Sequence, residues 1–200
     1  MENAVSSLKE GKCVVYPTST QPALGCLPNS DSLDLLYSLK RRERSQPVSL
    51  GVANLEQAAT IAHIPDDVAA LIEHFPTGSI TVVLDSKYQL DERLGGARVA
   101  LRVVSHHAAI KLIEEVGPVT ATSANISGSP PESNPVMAAL SLSTDGSNIP
   151  FVRGVCGGGV PSTLISWQSS TRSPDTTGTK VLREGLVTKL EVFDWLKSRI

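Results

Sequence analysis

Four basic residues follow a predicted helix, and their side chains could bind phosphate groups. Lys40, Arg41, Arg42 and Arg44 lie within five consecutive positions, at the end of the helical segment SDSLDLLYSLKRR and in the loop after it. Cations are ordinary at a helix C-terminus because the helix dipole is negative there. Four of them exceed what capping requires, however, and a planar guanidinium beside a flexible ammonium suits a polyphosphate. The cluster is therefore a candidate phosphate-binding site.

Small hydroxyl and amide side chains follow two predicted strands. The segment VVYPTST ends a buried strand at Tyr16 and then presents Thr18, Ser19 and Thr20. The segment VTATSANISGSPP runs from a strand into residues rich in serine, asparagine, glycine and proline. These residue types favour turns, which is one interpretation of both segments. The other interpretation is a binding site, because ligands of α/β proteins commonly bind at the carboxyl ends of strands.

Two arginines and a glycine run complete the set of candidate residues. The strand ARVALRVV alternates so that Arg98 and Arg102 share one face of the sheet. The segment CGGGVPSTLIS places Gly157, Gly158 and Gly159 before a strand, where they permit positive φ angles and close backbone approach. The sequence contains neither the P-loop pattern nor a G-x-G-x-x-G turn that opens a helix. A nucleotide would therefore bind through another arrangement.

Helices and strands alternate along the chain, which predicts an α/β fold with helices packed on a twisted sheet. The predicted helices are AVSSLKEG, SDSLDLLYSLKRR capped by Ser30 or Asp31, two helices divided at Pro65, HHAAIKLIEEVG, NPVMAALS and TKLEVFDWLKSRI. The predicted strands are KCVVYP, PVSLGVA, GSITVVLDS, ARVALRVV, PVTAT, GGGVPSTLIS and TKVLREG. Because the connections are short and no linker is visible, we expect a single domain over residues 1–200.

The composition argues against several classes of protein. With 40% hydrophobic and 19% charged residues among 200, the chain can bury a substantial core. Its net charge of −2 gives no global reason to expect a nucleic-acid or membrane partner. Cys13, Cys26 and Cys156 are widely spaced and odd in number, which indicates neither a disulfide framework nor a zinc site. No apolar run reaches the length of a membrane span, so we expect a cytoplasmic protein with no metal site built from its own side chains.

Six short motifs, taken in order, resemble the YrdC-like threonylcarbamoyl-AMP synthase family. They are Y-P-T-x-T, K-x-R, A-x-R, T-S-A-N-x-S-G-x-P, P-S-T and L-R-x-G, and the resemblance extends from about Gly11 to Gly185. It implies a mixed, twisted β-sheet with flanking helices around a concave basic cavity. It also implies the family's reaction, in which L-threonine, bicarbonate and ATP give threonylcarbamoyl-AMP and pyrophosphate for the t6A37 modification of tRNA.

The same resemblance implies the ligands, the partners and the residues that bind them. Mg²⁺ would be held by the ATP phosphates, and a downstream threonylcarbamoyl transferase would be a partner. Contact with tRNA or double-stranded RNA is a further implication of the resemblance. The residues implied at the ATP end are Lys40, Arg42, Ser123, Asn125 and Arg183. Those implied at the threonine end are Thr20, Arg102 and Ser162, with the Arg102 guanidinium suited to a carboxylate. No catalytic acid or base is implied, and we expect Lys40, Arg42, Arg102 and Arg183 to face one cavity.

The threonine end departs from the family pattern. Ser19 replaces the usual glutamate, Gln21-Pro22-Ala23 replaces valine-tyrosine-glycine, and further changes fall at Gln46-Pro47-Val48 and around Gly51. Two alternatives therefore stay open: a non-catalytic relative that binds nucleotide or double-stranded RNA, and a carbamoyl-adenylate-forming enzyme with another acceptor. The polar segment Ser169–Thr179 is predicted to be either a flexible hairpin loop or a lid.

Overall fold

The computed structural model describes residues 1–143, 148–168 and 178–199. Its helices are α1 (Glu2–Lys9), α2 (Ser30–Lys40), α3 (Leu55–Ile61), α4 (Asp66–His74), α5 (His107–Val116), α6 (Pro135–Leu142) and α7 (Lys189–Lys197). Its strands are β1 (Val14–Tyr16), β2 (Ala23–Gly25), β3 (Leu50–Val52), β4 (Ile80–Asp85), β5 (Arg98–Val103), β6 (Val119–Thr120), β7 (Thr122–Ser123), β8 (Thr163–Ser166) and β9 (Lys180–Arg183). A short 3-10 turn lies at Glu92–Leu94. Residues 169–177, most of the predicted loop or lid, lie outside the described residues.

Six of the strands form a mixed sheet in the order β6-β3-β5-β4-β8-β9. The pairs β3/β5 and β4/β8 are parallel, and the other neighbouring pairs are antiparallel. Within the described part of the chain, α-helices connect β2 to β3, β3 to β4, β5 to β6 and β7 to β8, as the alternating sequence pattern predicted, whereas the 3-10 turn joins β4 to β5. The predicted α/β class with a mixed sheet is therefore confirmed.

A second, three-stranded antiparallel sheet in the order β1-β2-β7 was not predicted. Strand β2 has only three residues, Ala-Leu-Gly, and nothing in so short a segment distinguishes it from a loop. The predicted strand PVTAT is divided, because Val119–Thr120 pairs with β3 in the large sheet and Thr122–Ser123 pairs with β2 in the small one. Ser123 lies opposite Ala23 in this ladder, so the segment that follows β7 lies beside the loop between β1 and β2.

The helices begin and end where short-range chemistry favours it, with one correction. Asn29, rather than the predicted Ser30 or Asp31, caps α2 by accepting a hydrogen bond from the Ser32 amide. Pro65 divides α3 from α4 as predicted, because proline lacks the amide that a continuing helix requires. Within the described ranges, no helix is long and apolar enough to cross a membrane.

Buried apolar side chains form two clusters that support these elements. The larger cluster includes Leu24, Leu36, Val82 and Leu101, so it joins β2 and α2 to the large sheet. The smaller cluster packs α1 and α5 against β1, with Tyr16 fully buried at its centre. The Tyr16 hydroxyl donates to the Thr120 carbonyl oxygen at 2.9 Å, which ties the small sheet to β6. The two sheets are therefore fixed relative to one another where they meet.

Candidate active site

Residues of both sheets line a pocket of about 430 Å³. Six of the eight predicted site residues line it, namely Thr20, Arg42, Arg102, Ser123, Ser162 and Arg183. They come from the β1–β2 loop, the turn after α2, β5, β7, the residue before β8, and β9. The fold thus gathers side chains that lie up to 163 positions apart in the sequence, from Thr20 to Arg183. The other two predicted residues, Lys40 and Asn125, do not line the pocket.

Arg102 is held in a fixed orientation at the pocket floor. Its side chain is buried, its Nε donates to the Gly78 carbonyl oxygen at 2.9 Å, and its Nη2 donates to Ser19 Oγ at 3.2 Å and Thr20 Oγ1 at 3.1 Å. Burial lowers the pKa of Arg102, and the nearby Arg183 charge lowers it further. A guanidinium nevertheless stays charged at physiological pH, so Arg102 brings a buried positive charge to the pocket.

A chain of hydroxyl groups fixes the loop that contacts Arg102. Thr18 Oγ1 donates to the Gln21 carbonyl oxygen at 2.7 Å, and it lies 3.1 Å from Thr20 Oγ1. Because the Thr18 proton is used on Gln21, the Thr20 hydroxyl donates to Thr18, and its oxygen accepts from Arg102. The Thr20 hydroxyl therefore orients the Arg102 guanidinium.

The end of helix α2 directs Arg42 toward the pocket. Arg41 takes a left-handed backbone conformation with φ of 48°, and the Arg42 amide donates to the Tyr37 carbonyl oxygen. This reversal of the chain is the common way for a helix to end, although a glycine is usual at the left-handed position. Arg42 Nε and Nη2 then donate to the carbonyl oxygens of Gln46 and Pro47 at 2.8 and 3.1 Å. The guanidinium is thus anchored by neutral acceptors.

Ser162, immediately before β8, and Arg183, at the end of β9, form a third group. Arg183 Nη2 donates to the Ser162 carbonyl oxygen at 2.8 Å, and Ser162 Oγ lies 2.8 Å from Thr81 Oγ1. Thr81 also lines the pocket, and it was not among the predicted site residues. The sequence feature that could have indicated Thr81 is a polar residue within the apolar strand GSITVVLDS. Because alternate side chains of a strand point to the same face, such a residue can lie on the face that forms a site.

The electrostatic character of the pocket follows from its lining. Three guanidinium groups line it, and no aspartate or glutamate does among the described residues. Among the described residues, the acceptors of each guanidinium are carbonyl or hydroxyl oxygens. Arg102 is the buried member of the three, and a buried cation normally pairs with a carboxylate, because an unpaired charge is costly to remove from water. The pocket is therefore suited to ligands that bring negative charge.

Lys40 and Asn125 lie beneath the pocket wall, which differs from the expectation that Lys40 faces the cavity. Lys40 is 1% exposed, and its Nζ donates to the carbonyl oxygens of Ser123 and Asn125. The Asn125 amide nitrogen donates to the carbonyl oxygens of Ile126 and Ser129 at 2.9 and 2.6 Å. Three of the four cations expected in one cavity thus line it, and the fourth binds backbone behind it.

The glycine run forms a wall against the β1–β2 loop, as close backbone approach predicted. A Cβ atom on Gly157 would lie 2.1 Å from the Ser19 carbonyl oxygen, and Gly158 and Gly159 both have φ of 73°. The Gly158 amide donates to the Thr20 carbonyl oxygen at 2.6 Å. Gln21, which lines the pocket and was noted only as a departure from the family pattern, donates through Nε2 to the Gly159 carbonyl oxygen at 2.8 Å. Only glycine fits at Gly157, so this wall depends on it.

In the part of the chain that the structure describes, no group of three or more histidine, cysteine, aspartate or glutamate side chains could hold a metal ion. A cation in the described pocket would therefore need ligands from a bound substrate, such as phosphate oxygens, and from water.

Comparison with known proteins gives consistent matches over most of the chain. The family model Sua5_yciO_yrdC, described as "Telomere recombination", matches residues 6–185. A relative in Mycobacterium tuberculosis is 37% identical over 133 residues, which cover 64% of this chain and 61% of that protein. The threonylcarbamoyl-AMP synthase of Methylococcus capsulatus is 32% identical over 169 residues, which cover 81% of this chain and 89% of that protein.

A solved structure matches the fold closely. Pyrococcus abyssi Sua5 complexed with L-threonine superposes with a TM-score of 0.82 at 28% sequence identity. The superposition covers 99% of this chain and 57% of the Pyrococcus chain. The chain therefore spans less than two thirds of the length of the Mycobacterium and Pyrococcus proteins.

Proposed function

The chain belongs to the Sua5_yciO_yrdC family, and from this premise we propose that it is an L-threonylcarbamoyl-AMP synthase. In the proposed reaction the neutral amine of L-threonine attacks bicarbonate, giving a carbamate and water. A carbamate oxygen then attacks the α-phosphorus of ATP, and pyrophosphate leaves. The product threonylcarbamoyl-AMP would pass to a threonylcarbamoyl transferase that forms t6A37 in tRNA.

The composition of the pocket lining is the observation that supports this proposal. Three arginines line the pocket, and no carboxylate among the described residues does. Every reactant brings negative charge: the carboxylate of threonine, the bicarbonate and the triphosphate. A volume of about 430 Å³ lies within the usual range for small-molecule sites. Arginine binds carboxylate and phosphate oxygens in paired hydrogen bonds, which favours it over lysine for such ligands.

The two ends of the proposed site bind different reactants. Arg102 binds the threonine carboxylate, and its support by Ser19, Thr20 and Gly78 leaves Nη1 without an acceptor in the described part of the chain. Arg42 and Arg183 bind ATP phosphates, and the Ser123 hydroxyl donates to the nucleotide. Because Thr20 orients Arg102, it belongs to the threonine end.

Positioning and charge stabilisation supply the catalysis in this proposal. No aspartate, glutamate or histidine among the described residues lines the pocket, so the side chains there do not include an obvious base for the threonine amine. Holding three reactants in a reactive geometry can lower a barrier by roughly 7 to 11 kcal/mol. The arginines stabilise the charge that develops on the phosphate oxygens, and Mg²⁺ held by those oxygens and water would neutralise part of it.

A pyrophosphate-release assay tests the proposal. The protein with ATP, Mg²⁺, bicarbonate and L-threonine should release pyrophosphate, and omission of threonine or bicarbonate should abolish the release. L-Serine in place of threonine measures the specificity of the altered threonine end. Release with another amine but not with threonine would assign a different acceptor, and no release under any condition would leave a non-catalytic nucleotide- or RNA-binding role.

A further inference from the structure

The K-x-R and S-x-N motifs each place one residue in the pocket and one residue behind it. Arg42 and Ser123 line the pocket, whereas Lys40 and Asn125 are 1% and 9% exposed and do not line it. In both motifs, residues two positions apart thus differ in environment. The difference shows that the four side chains do not form one set of ligand contacts.

Lys40 is bound to the backbone of the S-x-N segment. Its Nζ donates to the Ser123 carbonyl oxygen and, at 2.8 Å, to the Asn125 carbonyl oxygen. In the opposite direction, the Ser127 amide donates to the Lys40 carbonyl oxygen at 2.8 Å. Contacts through both its side chain and its backbone therefore tie the end of α2 to this segment, 83 or more positions away in the sequence.

Asn125 closes the same segment on itself. Its Nδ2 donates to the carbonyl oxygens of Ile126 and Ser129, while its own Oδ1 is buried without a hydrogen-bond partner among the described residues. The Ala124 amide donates to the Pro22 carbonyl oxygen at 2.8 Å, which joins the segment to the β1–β2 loop. The position of the Ser123 side chain is thus set by Lys40, Asn125 and Pro22 together.

We propose that Lys40 and Asn125 are positioning residues that hold the Ser123–Ser129 turn, while Arg42 and Ser123 make the ligand contacts. This inference rests on the proposed function, since it assigns roles within the same site. It revises the assignment of Lys40 and Asn125 to direct ATP contacts. Removing either positioning residue should weaken ATP binding by displacing Ser123.

The environment of Lys40 agrees with a backbone-binding role. Burial lowers the pKa of Lys40 to about 8, and the Arg42 charge acts in the same direction. No salt bridge to Lys40 is found within the described residues. A neutral lysine amine still has two hydrogens for the two carbonyl oxygens, so loss of its proton does not by itself release the turn.

A double-mutant cycle on ATP binding tests whether Lys40 acts through Ser123. Calorimetry with ATP and Mg²⁺ would compare Ser123→Ala in the natural protein with the same change in Lys40→Met. Alone, Ser123→Ala should weaken binding about 10-fold, the lower end for a hydrogen bond to a charged group. In Lys40→Met it should weaken binding less than about 2-fold, because the displaced hydroxyl no longer reaches the ligand.

Two further backgrounds serve as a second test and a control. Asn125→Ala removes no charge and should abolish the Ser123→Ala effect in the same way, which keeps the inference testable if Lys40→Met does not fold. Arg42→Met removes a ligand contact and should leave the Ser123→Ala effect at about 10-fold. Full additivity in both the Lys40 and the Asn125 background would overturn the inference.

Hydrogen exchange in the protein without ligand separates this inference from the proposed function. Lys40→Met should speed exchange of the Ala124, Ser127 and Ser129 amides, while the Thr120 amide, bonded to Cys26, should keep its rate. Arg42→Met should change none of the four. Unchanged rates in Lys40→Met would contradict the positioning role, and absence of ATP binding to the natural protein would refute only the proposed function.

Discussion

Arg93 and Arg102 are buried to the same degree, 6% and 7% exposed, in opposite electrostatic environments. Arg93 lies in the 3-10 turn beside α2, with Asp34 Oδ1 at 2.6 Å from Nη1 and Asp91 Oδ2 at 2.7 Å from Nη2. The hydrogen bond with Asp91 raises the pKa of Arg93, whereas burial lowers the pKa of Arg102. Arg102 has no carboxylate in its described surroundings, only the carbonyl oxygen of Gly78 and two hydroxyl groups.

The difference distinguishes Arg93, a structural residue whose charge is paired within the protein, from Arg102, whose charge is available to pair with a ligand. A buried charge whose partners are all in the protein contributes to the native state, and removing it leaves those partners unpaired. A buried charge that has only neutral partners is less favourable in the free protein and gains most when an anion binds. Exposure alone would not distinguish the two residues, but the identity of their acceptors does.

The largest predicted effect is on catalysis by Arg102→Met. Threonine-dependent pyrophosphate release should fall about 100-fold or more, because two charge-assisted hydrogen bonds to the carboxylate are lost. The free energy of unfolding should change by less than about 1 kcal/mol, since the variant also removes an unpaired buried charge. Kinetics and urea denaturation of the same preparation measure both. A loss of several kcal/mol in stability would place Arg102 with Arg93 as a structural residue.

Arg93→Met should give the reverse result. The variant leaves Asp91 without its cation and Asp34 with only the exposed Arg44, and we expect a loss of about 2 to 3 kcal/mol in the free energy of unfolding. This is below the usual value for a broken buried pair because both carboxylates are partly exposed. ATP and threonine affinity should stay within about 2-fold of the natural protein under conditions where the variant is folded. Stability equal to that of the natural protein would contradict the comparison.

The third buried cation, Lys40, should make the free energy of unfolding depend on pH. Its pKa is about 8 when folded and near 10.5 when unfolded, so the unfolded chain binds more protons between these values and stability should rise with pH. From pH 8 to 9.5 the Lys40 contribution should rise by about 2 kcal/mol. The measurement is the difference between the natural protein and Lys40→Met, each unfolded by urea across this range. A difference independent of pH would show that the lysine titrates normally.

Gln21→Ala should have the smallest effect, at the edge of the threonine end. It removes one exposed hydrogen bond, from Nε2 to the Gly159 carbonyl oxygen, and should raise the KM for threonine about 2- to 5-fold with ATP affinity unchanged. Gln89→Ala is a matched control, since Gln89 Nε2 bonds Glu92 and does not line the pocket. Equal KM values for threonine in the two variants would show that Gln21 does not contribute to threonine binding.

The alternation of helices and strands and the break at Pro65 could be read from the sequence, because they depend on short-range periodicity and on proline chemistry. The grouping of Thr20, Arg102 and Arg183 could not, and it came from resemblance to a family. The burial of Lys40 was missed because its partners are carbonyl oxygens, which every residue has. Strand β2 was missed because its pairing with β7 joins segments 100 positions apart at Ala23 and Ser123.

Calorimetric titration with L-threonine and L-threoninol tests most directly the claim that Arg102 binds the carboxylate of the amino acid. The two compounds differ only in that an alcohol replaces the carboxylate. In the presence of ATP and Mg²⁺, threonine should bind the natural protein about 100-fold more tightly than threoninol, and Arg102→Met should reduce that ratio to near one. Equal binding of the two compounds by the natural protein, or an unchanged ratio in Arg102→Met, would contradict the account.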